Sequence, residues 1–207
     1  MERNELLQRV LNATNHTELM DAYKDWAASY DTDLLEGFQY SAPTITAGVL
    51  NDYLDDKNAR ILDAGCGTGL VGEILKQQGY RDIDGLDYSA DMLREAGKKN
   101  VYGNLIQADL TRRLDIPDNA YDAVICVGTF TLGHVGPEAF RELLRVTRKD
   151  GYICFTVRMT AYEQHDYRSK MLDLEVKKAW ELQELRTATY FQSDNTPCKV
   201  ALYNVAA

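Results

Sequence analysis

The run Ile61-Leu62-Asp63-Ala64-Gly65-Cys66-Gly67-Thr68-Gly69 constrains this chain more than any other stretch of its 207 residues. Arg60–Ala64 reads as a short buried strand, and three glycines in the next five positions read as a tight loop. Glycine turns sharply without strain and lets a ligand approach the bare backbone. A helical pattern follows at Gly69–Gln78, closed by Gly79, so the segment is strand, loop, helix. The backbone of Gly65, Cys66 and Gly67 is the first candidate for ligand contact. Asp63 is placed to organise the loop or to receive a ligand's amino group.

Two frames fit the glycines. Gly67-Thr68-Gly69-Leu70-Val71-Gly72 matches G-x-G-x-x-G, the dinucleotide fingerprint. In that fold the first glycine follows the strand directly and makes the turn. Here the strand runs out at Ala64, which makes Gly65 the first turn glycine and puts Gly72 inside the helix. An NAD-dependent oxidoreductase is the alternative. The Tyr-x-x-x-Lys pair of such chemistry is matched by Tyr53 and Lys57, but upstream of the first strand, where it cannot reach a nicotinamide site built downstream.

Beyond the loop the chain alternates. Strands are expected at Ile83–Asp87, Tyr102–Gln107, Tyr121–Val127 and Gly151–Val157. Ser89 caps a helix to about Lys98, and Pro137–Arg148 is amphipathic. Strands alternating with helices imply a parallel sheet with right-handed crossovers. The tail breaks the rhythm. A long helix is expected from about Arg168 to Leu185, then two strands, Thr187–Gln192 and Cys198–Val205, around the turn-forming Ser193–Pro197. The first fifty or so residues read as helices: Thr17 can cap one over Glu18–Tyr30, and Pro43 can open another.

In an open α/β sheet, ligands sit beyond the carboxyl ends of the strands. Asp87 ends the second strand, where an ionised carboxylate can accept both hydroxyls of a ribose. Both adenosyl and nicotinamide cofactors offer such hydroxyls; a 2′-phosphate would be repelled. Tyr88 and Met92 can flank an adenine, and Val127 to Phe130 should line the reacting side.

Taken together, the frame G-x-G-x-G, the acidic Asp63 and the strand-end Asp87 resemble motif I and its sequel in the class I S-adenosylmethionine (SAM)-dependent methyltransferases. The resemblance spans roughly residues 20–160, from the Tyr23–Asp31 run (Y-x-x-W-A-x-x-Y-D) through Leu62–Leu70, Asp87–Leu93 and Tyr121–Gly128. It implies SAM as cofactor, S-adenosylhomocysteine as product, and a Rossmann-like three-layer sandwich. The sheet would be seven-stranded, mostly parallel, ending in an antiparallel hairpin. It also implies that Asp109 accepts from the adenine amino group while the Leu110 amide meets the ring. The chain reads as a single domain, with residues 1–57 a helical cap on a core of 58–207.

Tyr23, Trp26 and Tyr30 share one helix face. They can pack on the core, serve as a lid whose aromatic faces attract a sulfonium, or do both. Methyl transfer needs no fixed catalytic residue, because the protein mainly aligns the acceptor; a base matters only when a proton must leave. His134 is the candidate base, and Asp166 and Tyr167 are candidates for the acceptor pocket. No Asn/Asp-Pro-Pro-Tyr follows the fourth strand, and neither a Pro-Cys nucleophile of the cytosine C5 type nor the paired-Glu loop of arginine methyltransferases is found, so a small molecule is the default acceptor and a protein side chain the next. A non-catalytic SAM-binding regulatory module would keep the same loop.

Composition adds exclusions. A net charge of −9 argues against nucleic acid, whose non-specific grip rests on Lys and Arg, and suits a cationic ligand. Cys66, Cys126, Cys154 and Cys198 form no CxxC pair, which argues against a metal site and for reduced thiols in a cytoplasmic protein. The charged start lacks the layout of a secretory signal, no apolar run is long enough to span a bilayer, and no membrane partner is expected. Oligomeric state is left open.

Overall fold

The computed structural model describes residues 3–13, 15–131 and 135–206. Helices α1 (Arg3–Asn12) and α2 (His16–Trp26) come first. The cap of α2 is Asn15 rather than the expected Thr17: its carboxamide accepts from the Glu18 amide at 3.0 Å, while its own backbone is extended. A short helix α3 (Tyr30–Thr32) and a π-helical turn over Asp33–Gly37 lead to α4 (Ala42–Tyr53), with Pro43 in its first turn.

The alternating core follows: β1 (Arg60–Ala64), α5 (Leu70–Gln77), β2 (Asp82–Asp87), α6 (Ala90–Lys98), β3 (Leu105–Gln107) and β4 (Tyr121–Phe130). A 3-10 turn (Pro137–Ala139) runs into α7 (Phe140–Val146). The rest is β5 (Thr147–Arg158), α8 (Met159–Gln164), α9 (Tyr167–Val176), β6 (Trp180–Phe191) and β7 (Thr196–Val205). The seven strands form one sheet in the order β3-β2-β1-β4-β5-β7-β6. The pairs from β3 through β5 are parallel, and β7 runs antiparallel to both its neighbours. This is the Rossmann-like, seven-stranded sheet that the resemblance implies, mostly parallel and ending in an antiparallel hairpin. Successive strand residues face opposite layers. Ile61, Ile83 and Ile125 pack with α4, α5 and the N-terminal helices, whereas Leu62, Leu86 and Val124 pack with α7 and α9. A sheet covered on both faces explains the near-continuous apolar runs of β1 and β4.

The tail departs from expectation. The helix expected to reach Leu185 ends at Val176, where Lys178 takes φ +56° and donates to the Glu175 carbonyl at 2.9 Å. Trp180 is buried, stacks on Tyr203 at 4.0 Å and donates its Nε1–H to the Met171 carbonyl at 3.1 Å. From there β6 pairs with β7 along its whole length. Likewise α7 stops at Val146 and β5 begins at Thr147, whose hydroxyl donates to the Leu143 carbonyl at 2.7 Å. Among the described residues no helix is long and apolar enough to cross a membrane.

Candidate active site

The chain reverses after Ala64 through three glycines at positive φ: Gly65 (+78°), Gly67 (+54°) and Gly69 (+92°). Helix α5 starts at Leu70, so Gly65 makes the turn and Gly72 lies within the helix. The Gly65 and Cys66 amides both donate to the Leu86 carbonyl, at 2.7 and 2.9 Å, which stitches the loop to β2. A Cβ on Gly65 would run into the Thr129 side chain, whereas one on Gly67 would meet nothing within 4 Å. Gly67 is therefore bare toward open space, not toward protein.

Asp87 closes the arrangement at the end of β2. Its Oδ2 accepts from the Gly67 amide at 2.9 Å and its Oδ1 from the Ser89 amide at 2.8 Å. An ionised carboxylate has about four acceptor sites, so each oxygen keeps capacity for a ligand hydroxyl. Burial raises the Asp87 pKa above the usual carboxylate range, and the Ser89 and Gly67 amides work against that rise.

Behind the loop sits Asp63, fully buried. The Tyr102 hydroxyl donates to its Oδ2 at 2.6 Å, and its Oδ1 has no hydrogen-bond partner among the described residues. Burial pushes its pKa up to about 7; the Tyr102 hydroxyl opposes this, the Asp87 charge adds to it, and the Gly72 amide opposes it. The Tyr102 ring fills a groove formed by Gly69, Gly72 and Gly85, where any Cβ would press on it. Gly72 is thus a seat for an aromatic ring.

A cavity of about 400 Å³ opens over the carboxyl ends of β1, β2 and β4. Of the residues expected there, Gly65, Gly67, Asp87, Tyr88, Met92, Asp109, Leu110 and Val127 line it from the core, and Tyr23 and Tyr30 from the cap. The Asp109 Oδ1 accepts from the Thr111 amide at 2.9 Å and hydroxyl at 2.6 Å, so this acid also shapes its own turn. Three of the expected residues do not line the cavity. Asp63 lies behind the loop. The Cys66 sulfur turns back toward Gly85, and burial pushes its thiol well above the usual range. Trp26 sits edge-on behind Tyr30 at 4.7 Å and donates its Nε1–H to Asp33 Oδ2 at 2.9 Å. Gly128 and Thr129 also line the cavity, but Phe130 is fully buried against Phe140, Phe155 and Tyr167. Tyr167 is a buttress, donating to the Val135 carbonyl at 2.7 Å, and Asp166 precedes α9 as its N-cap residue. His134 lies outside the described residues.

Sequence reasoning missed the closure of the cavity. Ala13, Asn15, Leu19 and Met20 roof it from the α1–α2 junction. Asp31, the last residue of the Tyr23–Asp31 run, accepts from the Thr68 hydroxyl in the glycine loop and pairs with Lys99 Nζ at 2.6 Å. The acid is visible in the sequence; its partners are not.

Residues 62–155 match the family model of a methyltransferase domain. Methyltransferase-like protein 27 of Homo sapiens is 36% identical over 139 residues, 66% of this chain and 56% of that protein. The chain carries a methyltransferase domain. Malonyl-[acyl-carrier protein] O-methyltransferase of Pectobacterium atrosepticum is 35% identical over 98 residues, 46% of this chain and 37% of that one. The chain thus spans about half, or less, of the length of these two curated relatives. The TehB-like SAM-dependent methyltransferase from Corynebacterium glutamicum shares the fold with a TM-score of 0.64 at 19% identity, covering 88% of this chain and 97% of that one.

The residues present fit the cofactor of a methyltransferase domain. The cavity volume of about 400 Å³ lies within the range of ligand clefts, roughly 300–1,000 Å³. The cradle at Gly67 stays open only because that residue has no side chain. The rival pair Tyr53 and Lys57 lies elsewhere: Lys57 precedes β1, donates to Asn51 Oδ1 at 2.7 Å and covers the Tyr80 ring at 4.0 Å.

Proposed function

We propose that this domain methylates a small molecule or a protein side chain, holding the cofactor's ribose on Asp87 and its adenine among Tyr88, Met92, Asp109 and Leu110. The observation that carries this reading is the joint between the glycine loop and the second strand. The Gly67 amide and the Asp87 carboxylate are bonded at 2.9 Å, and both border the cavity. SAM, when bound, supplies an electrophilic methyl on a sulfonium sulfur. Gly65 and Gly67 present bare backbone to the ligand. Tyr23 and Tyr30 offer aromatic faces from the cap, which favour a cationic centre. Asp31, bonded to Thr68, fastens that cap over the loop and helps exclude water. Trp26 acts behind them, holding Tyr30 in place.

Calorimetry with SAM, S-adenosylhomocysteine and NAD tests this directly. The two adenosyl compounds should bind and NAD should not; tight binding of NAD alone would restore the oxidoreductase reading. Asp87→Ala should weaken S-adenosylhomocysteine at least tenfold, since it removes the ribose acceptor and the anchor of the Gly67 amide together. Unchanged affinity would refute that role.

A further inference from the structure

Tyr23, Tyr30 and Gly128 line one side of the main cavity. The same three residues border a side pocket of about 30 Å³, which Arg158 and Tyr190 also line. Arg158 is the last residue of β5, at the carboxyl end where the reacting side lies. Its guanidinium carbon stands 5.6 Å over the Tyr190 ring. Its Nε is buried and has no hydrogen-bond partner among the described residues. Asp194 feels this charge, but its Oδ1 accepts from the Thr196 amide and hydroxyl. A buried donor without an acceptor is a standing cost to a fold, and such groups need an explanation. The rest of the described lining carries no carboxylate: it is mainly apolar, with the hydroxyl-bearing Tyr23, Tyr30, Thr131 and Tyr190. The Tyr40 and Tyr190 hydroxyls are 3.2 Å apart beside Gly128, and burial raises the pKa of Tyr30, Tyr40 and Tyr190 alike, which keeps all three protonated.

The Tyr40 hydroxyl already donates to Tyr190, so among the described residues the donor left without an acceptor at this pocket is the cationic Arg158. We propose that the methyl acceptor is a carboxylate-bearing molecule whose carboxylate enters this pocket and is held by Arg158, placing its body beside Gly128. This deepens the methyltransferase reading and rests on it. The pocket has room for the head of such a ligand only, and the remainder must lie in the main cavity. Arginine suits the task because its planar fork matches a carboxylate and it never loses its charge. It also answers the overall charge of −9, which alone would repel an acid.

The test is NMR on ¹⁵N-labelled protein saturated with S-adenosylhomocysteine, following the Nε–H signal of Arg158, assigned by its loss in Arg158→Lys. Sodium acetate is titrated against acetamide and sodium chloride at constant ionic strength. Acetate should shift the signal saturably, and neither control should. No saturable shift, or the same shift with acetamide or chloride, overturns the proposal. Failure of the cofactor reading shows separately, as a Gly67 amide signal unmoved by S-adenosylhomocysteine; the acetate titration is then read on the free protein. In a labelled-SAM screen, acids should be methylated in preference to their amides. Arg158→Lys should raise the KM for an acid acceptor at least tenfold while S-adenosylhomocysteine affinity stays within twofold; an unchanged KM overturns the proposal.

Discussion

Asp63→Asn should change how stability depends on pH. The Asp63 carboxyl is moved from an ordinary 3.8 to about 7, chiefly by burial. Between those values the unfolded chain has released the proton while the folded protein keeps it. Stability therefore falls as pH rises, by about 1.4 kcal/mol per unit, and levels off above about 7. Over roughly three units the wild type loses about 4 kcal/mol relative to a variant that cannot titrate there. For a chain of this size each kcal/mol moves the melting temperature by roughly 2–4 °C, so the gap should change by about 8–16 °C. Circular-dichroism melts of both proteins, without ligand, in half-unit steps from pH 4.5 to 8 would show the trend. Any fixed cost of the amide cancels in the difference, and so does most of the slope contributed by Asp87, whose pKa is raised as well. A wild-type-minus-variant gap that stays flat, or that favours the wild type as pH rises, would refute the argument.

Two further perturbations separate ligand contact from scaffold. Gly67→Ala should cost about 1–2 kcal/mol for its left-handed backbone and weaken S-adenosylhomocysteine at least tenfold, because the new methyl projects into open space. Gly65→Ala meets Thr129 as well and should lose roughly 1–3 kcal/mol more; melts showing equal or reversed losses would contradict the assigned geometry. Asp31→Ala should change global stability by only about 1 kcal/mol, as ion pairs that keep some contact with solvent do, yet weaken S-adenosylhomocysteine threefold to tenfold and speed proteolytic nicking around the cap; unchanged nicking and affinity would mean that the contact with Thr68 does not hold the cap.

What could be read from the sequence was what is decided locally. The reversal at Gly65 follows from a strand that ends at Ala64 and a helix that starts at Leu70, all within a few residues. The tail departs from its local pattern because its decisive partner is distant. Leu172 to Leu185 is rich in Leu, Glu and Lys, which favour helix. Packing of Trp180 on Tyr203 and pairing of β6 with β7 override that preference. Tyr102 was invisible for the same reason: its seat is made by Gly69, Gly72 and Gly85, which come from a loop, a helix and a strand. The cap is the instructive case. Helical spacing placed Tyr23, Trp26 and Tyr30 on one face and gave all three the same role. A buried indole, however, needs an acceptor for its N–H, and Asp33 follows Trp26 at the same seven-residue interval that separates Tyr23 from Tyr30. An aromatic stripe interrupted by a tryptophan with an acid two turns on should be split into one ring that anchors and two that face the ligand. That rule uses only the sequence, and it would have placed Trp26 behind the cavity wall.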